Sequence, residues 1–324
     1  MISAVWNRAF AGGRQGQLAG EGPGRMAEAC RRLLFDGSGT GVGVELPLLG
    51  PPSYDTLVIL PTSKLRTGVR VRDPDQVQAQ AMIDWLLARK DWRPSIFYEL
   101  DAAGSGKLAG IHCRIEGSLD IADEFFRAAG EAHRIPAFRK AAARLPEGWV
   151  PLFAAVFPGR ADDRTRMEVY ILDGEAAGAM TDPAKIRKAF DSIGFTAYNG
   201  AMPEEMARLA RVDNSVNLQF DLLPDGTFAP ACSLITGYEQ YRNDLKAIFA
   251  EEGPVSRICR IYEDMGTADG RWRLLEGACF VCETEGPEGM LLRTVPNSSK
   301  VKWKNGEPAP ARFYLRMDAK KRSG

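Results

Sequence analysis

A chain of 324 residues with 45% apolar content can bury a substantial core, in one large domain or two average ones. Its 42 Lys and Arg balance 42 Asp and Glu, so no global field draws it to nucleic acid or to a membrane surface. No apolar run approaches a spanning helix and the N-terminus lacks a signal-peptide pattern, so the expectation is a soluble cytoplasmic protein.

Residues 1–45 are rich in Gly, Gln and Ala, with a helical patch around Met26–Leu34 and a glycine-rich loop at 37–41. They read as a loosely attached, partly helical arm. Residues 46–318 read as a single domain and 319–324 as a disordered basic tail. Strands are expected at Thr56–Leu60 and Thr67–Arg72, then a helix at Val77–Arg89 with apolar residues at helical spacing. A strand at Ile96–Asp101 turns through Ala-Gly-Ser-Gly into a strand at 108–116. A long helix at Ile121–Arg144 follows, with Asp120 as its cap. Strands at 150–157 and 165–172 are joined by a Pro-Gly-Arg-Ala-Asp-Asp loop. Helices at about 183–193 and 203–211 precede a hairpin at 215–235 that turns at Pro224-Asp225-Gly226. Helices at 238–251 and 255–264, strands near 272–283 and 290–295, and a hairpin at 299–317 turning at Asn305-Gly306 complete the chain.

Five of these segments alternate strictly between apolar and polar residues. His112, Arg114 and Glu116 oppose Ile111, Cys113 and Ile115; Arg166, Glu168 and Tyr170 oppose Met167, Val169 and Ile171. Asn217, Gln219 and Asp221 oppose Val216, Leu218, Phe220 and Leu222. Lys300, Lys302 and Lys304 oppose Val301 and Trp303, and Arg312, Tyr314 and Arg316 oppose Phe313, Leu315 and Met317. Each is a half-buried strand with one wet side. Such a side ordinarily meets solvent, and that reading stays open. Two features point instead to a shared interior. The polar sides are rich in Arg, Lys, Tyr, Asn, Gln and His, and roughly ten strands are too many for a comfortable open sheet. Closure into an antiparallel α/β barrel with helices outside removes both edges. A lumen holding Arg114, Arg166, Lys300, Lys302, Arg312 and Tyr314 is then an anion site able to hold a diphosphate without a metal.

Other motifs carry less. The six cysteines form no zinc pattern, Cys279 and Cys282 being a lone CxxC. Neither a GxGxxG nor a Walker loop is present.

Repeated α-β-β-α units with cationic residues at alternate strand positions and no DDxxD sequence resemble the ABBA aromatic prenyltransferases, over roughly residues 55–317. The bacterial branch that prenylates ribosomal peptides in cyanobactin-type pathways is the nearest likeness. The resemblance implies a barrel of about ten strands and an allylic diphosphate donor, dimethylallyl or geranyl. It implies a peptide side chain or an aromatic small molecule as acceptor, and no partner among nucleic acids or membranes. It implies no tightly bound cofactor and no protein metal site, with Mg2+ at most accompanying the diphosphate. In FYELD and IHCRIE it implies Glu99 as the base and Arg114 as a diphosphate contact. Arg166, Lys300, Lys302, Arg312 and Tyr314 are the implied further diphosphate contacts. Phe97, His112, Tyr170, Asn217 and Gln219 line the prenyl and acceptor side. Asn217, Gln219 and Cys232 stand where the family often has tyrosines, and Arg312 where lysine is common. The alternative from another class is a non-catalytic peptide-binding scaffold whose cationic sheet face recognises an acidic partner. Arg114 and Arg166 can also be neutralised by Glu116 and Glu168, two residues away on the same side.

Overall fold

A computed structural model describes residues 2–11, 13–20, 41–60, 65, 70–71, 76–100, 108–158, 164–172, 174–213, 216–241, 244–283 and 289–321. The strands are β1 (Gly41–Pro47), β2 (Asp55–Ile59), β3 (Ile96–Leu100), β4 (Leu108–Arg114), β5 (Trp149–Val156) and β6 (Thr165–Ile171). They continue as β7 (Val216–Leu222), β8 (Phe228–Gly237), β9 (Phe280–Glu283), β10 (Met290–Lys304), β11 (Glu307–Pro308) and β12 (Arg312–Lys321). Ten of them close into an antiparallel barrel in the order β10-β12-β1-β2-β3-β4-β5-β6-β7-β8, with β8 pairing back to β10. The short β9 and β11 flank the two ends of β10.

The period-two alternation explains the layering. Val42, Val44 and Leu46 of β1, Ile111 and Cys113 of β4, Met167 and Val169 of β6 and Leu218 and Phe220 of β7 are all fully buried. They belong to one apolar cluster with the inner faces of the helices Val77–Ala88, Leu119–Ala128, Pro183–Ile193 and Pro254–Asp264. The core is therefore a shell between sheet and helices, and the opposite side of each strand faces the lumen.

Several local expectations change. β1 begins inside the stretch that composition assigns to an arm. Its lumen positions are Gly41 and Gly43 before Glu45, so glycines hide an alternation that the valines keep. The helix Ile2–Phe10 buries Val5, Trp6, Ala9 and Phe10 against the core, so this part of the arm is docked. β12 runs on to Lys321, past the point where a disordered tail was expected to begin. The long helix at 121–144 divides into Leu119–Ala128 and Ile135–Ala142, with Gly130 at positive φ between them. Its cap is Ser118, whose Oγ accepts from the Ile121 amide, rather than Asp120. The helix at 238–251 shrinks to a 3-10 turn at Glu239–Tyr241 and Leu245–Phe249. Residues 270–278 are helical, so the strand near 272–283 is confined to β9. The strands near 290 and 299 are one strand, β10, whose pairing with β12 shifts register between Pro296 and Ser298, where a proline is tolerated. Asn305 and Gly306 both have positive φ, as a two-residue hairpin turn requires. The helical patch at Met26–Leu34, the strand at Thr67–Arg72 apart from Arg70 and Val71, the Ala-Gly-Ser-Gly turn and most of the Pro-Gly-Arg-Ala-Asp-Asp loop lie outside the described residues.

Candidate active site

Directly opposed residues of an antiparallel pair share a face, so register alone traces rows around the lumen. One row runs Ile59, Phe97, His112, Ala155, Arg166, Asp221 across β2 to β7. A second runs Arg114, Phe153, Glu168, Gln219, Ser233, Lys302 across β4 to β8 and β10. A third runs Tyr170, Asn217, Ile235, Lys300, Arg312, Pro47, crossing the closure. A fourth sets Tyr314 beside Glu45 and Glu45 beside Asp55. Residues scattered from 45 to 314 thereby line one interior.

The lumen cations are matched by carboxylates. Arg312 Nη1 donates to Glu45 Oε1 at 2.7 Å and to Asp55 Oδ2 at 3.0 Å. Lys300 Nζ lies 3.9 Å from the same Glu45 oxygen and 5.2 Å from the centre of the Tyr314 ring. Asp221 accepts from Arg166 Nε at 2.8 Å and from Lys302 Nζ at 3.0 Å. Burial pushes the Asp221 carboxyl up, but the attraction of Arg166 and Lys302 outweighs it and holds the group well below the usual carboxylate range. Burial lowers the Lys302 ammonium, helped by the neighbouring Arg166. Asp55 is raised by burial and by the adjacent Glu45 charge. Burial and Glu45 together keep the Tyr314 phenol protonated.

Beside these cations the chemistry is acidic and aromatic. Glu99 Oε2 and His112 Nε2 lie 3.1 Å apart. Phe97 and Phe153 pack edge to face at 5.4 Å, and Phe157 meets His112 edge-on and carries the Arg166 guanidinium over its ring at 4.5 Å. Gly110 makes room here: a Cβ would sit 2.8 Å from Phe157 Cδ1 and 3.3 Å from Glu99 Oε2. Glu168 accepts from Asn217 Nδ2 at 2.9 Å and from Gln219 Nε2 at 3.3 Å, and burial pushes its carboxyl up.

The residues expected from the sequence thus share one wall, and their pairings are specific. Arg114 ends β4 in the second of these rows, is half exposed and pairs with Glu116 at 2.9 Å, whereas Arg166, Lys300, Lys302 and Arg312 pair with Asp221, Glu45 and Asp55 on other strands. Arg166 pairs with Asp221, the residue directly opposite it on β7, and not with Glu168 two residues along its own strand. Glu45, Asp55 and Asp221 were not expected in the site. Asp221 already alternates with Phe220 and Leu222, and a count of lumen carboxylates would have found it. Among the described residues no cluster of three or more His, Cys, Asp or Glu is arranged to hold a metal, and no helix is long and apolar enough to cross a membrane.

No family model matches this chain, and no curated protein matches it in sequence. Solved structures do. A 5-dimethylallyltryptophan synthase from Streptomyces coelicolor superposes with a TM-score of 0.54 at 10% identity, covering 98% of this chain and 97% of that one. A 6-dimethylallyltryptophan synthase from Micromonospora olivasterospora, in complex with DMASPP and Trp, superposes at 0.56 and 12% identity over 97% and 96%. The prenyltransferase PriB in its apo form superposes at 0.57 and 12% identity over 98% and 96%. With ten antiparallel strands closed around a polar lumen and helices outside, the chain has the ABBA, or PT-barrel, fold of the aromatic prenyltransferases.

Proposed function

We propose that the protein is a prenyltransferase that moves a C5 or C10 group from dimethylallyl or geranyl diphosphate to an aromatic acceptor or a peptide side chain. The observation that carries this reading is the convergence of Arg166, Lys300, Lys302 and Arg312 on one lumen that also holds the Glu99–His112 pair. The likeness to structures described as dimethylallyltryptophan synthases supports it. In this mechanism the allylic C–O bond ionises and the leaving diphosphate gathers charge on the four cations and the Tyr314 hydroxyl. Phe97 and Tyr170 shield the allylic cation from water. The acceptor attacks, and Glu99, oriented by His112, removes its proton. Mg2+, if it takes part, enters with the diphosphate. A peptide acceptor, as in cyanobactin-type pathways, is the finer part of the proposal.

The carboxylates already bound to the cations favour a second reading, a non-catalytic protein whose lumen holds a peptide. Calorimetric titration decides between them. Dimethylallyl and geranyl thiolodiphosphates should bind at micromolar concentration and more tightly than inorganic diphosphate, with magnesium either present or absent. No binding under any condition returns the protein to the scaffold reading.

A further inference from the structure

The lumen carboxylates differ in their partners. Asp221, Glu45 and Asp55 nearly balance Arg166, Lys300, Lys302 and Arg312 through ion pairs. Glu168, on β6, has no Lys or Arg within ion-pair distance among the described residues; its partners are the neutral amides of Asn217 and Gln219. Because those amides donate through nitrogen, each keeps a carbonyl oxygen able to accept. The row that holds Glu168 also sets Phe153 directly beside it, Phe153 meets Phe97 edge to face, and Tyr170 follows two residues along on the same face.

A diphosphate seated on the four cations would turn a balanced lumen strongly negative. The second ligand that such a lumen favours is a cation. The surface around Glu168 adds two demands: it offers a carboxylate and two amide carbonyl oxygens to a donor, and it is flanked by flat rings, so a planar, donating group fits best. We propose that Glu168, with the side-chain oxygens of Asn217 and Gln219, is the docking site for a guanidinium on the acceptor. A guanidinium is planar, stacks on aromatic rings and donates a forked pair of hydrogen bonds to a carboxylate. An ammonium meets the charge requirement but not the flat one. This rests on the prenyl-transfer reading, since the negative charge that selects the cation is the donor's diphosphate.

The test uses the whole protein saturated with dimethylallyl thiolodiphosphate, titrated with N-acetyl-arginine amide and with its neutral isostere N-acetyl-citrulline amide. Arginine amide should bind roughly tenfold or more tightly than citrulline amide. Its advantage should shrink when the donor analogue is omitted. Glu168→Gln, which keeps the size and one acceptor oxygen but removes the charge, should abolish the preference while leaving the affinity for the donor analogue as it was. Equal binding of the two amides, or a preference that survives in Glu168→Gln, overturns the assignment while the donor reading stands. Failure of the donor analogue to bind overturns both.

Discussion

Asp221 holds Arg166 and Lys302 at once, and Arg166 and Asp221 are both buried in the barrel wall. Its folded-state carboxyl titrates below that of an unfolded chain. The stabilisation from this pair is therefore complete above about pH 4, where an unfolded aspartate is ionised, and is lost as the pH falls toward the lower folded value. Asp221→Asn strands a buried guanidinium and should cost about 3 kcal/mol at neutral pH. The variant's denaturant midpoint should also fall less than the wild type's between neutral pH and the acid range. A wild-type-like midpoint at pH 7 would show that the pair contributes nothing. Glu99 belongs to the chemistry instead. Glu99→Gln should bind the donor analogue normally and transfer the prenyl group about a hundredfold more slowly; turnover at the wild-type rate would remove Glu99 from the role of base. Asp221 sits on a strand whose alternation is visible in the sequence, and Glu99 on a strand expected from its apolar and aromatic run. Their partners are not visible in this way. Arg166 and Asp221 are 55 residues apart and Arg312 and Glu45 are 267 apart, and no local pattern links them.

At the scale of elements, the outer face of β10 meets the helix Pro254–Asp264 and the end of β8 through a buried knot of hydroxyls. Ser299 Oγ lies 2.7 Å from both Thr236 Oγ1 and Tyr238 OH and 3.1 Å from Tyr262 OH. All four side chains are fully buried, and Tyr238 stacks on Phe313 of β12. Removing the central hydroxyl leaves its neighbours short of a partner in a dry core. Ser299→Ala should therefore cost about 2 kcal/mol in chemical unfolding, without changing affinity for the donor analogue, because the knot lies on the side of β10 opposite Lys300 and Lys302. Elements with clean alternation or helical spacing, such as β6, β7 and the helix Pro183–Ile193, are legible from the sequence. β1 is not, because Gly41 and Gly43 replace the polar half of its pattern. The division of the helix at 121–144 turns on Gly130, one residue inside an otherwise periodic stretch.

At the scale of the molecule, one pairing decides what the polar faces are for. β8 meets β10, the last long hairpin of the chain, and converts a curled sheet into a closed barrel. Only then do Lys300 and Lys302 come opposite Ile235 and Ser233 and join the wall that carries Arg166. The sequence by itself determined which residues share a strand face, that neighbouring strands run antiparallel, and that the polar faces are cationic and aromatic. Those are consequences of side-chain alternation and short turns, which act over a few residues. The tertiary structure alone decided that the faces enclose a lumen, that Glu45, Asp55 and Asp221 sit among the cations, and that Arg166 pairs across the sheet with Asp221. Those follow from register around the whole barrel, which no single segment of the chain encodes.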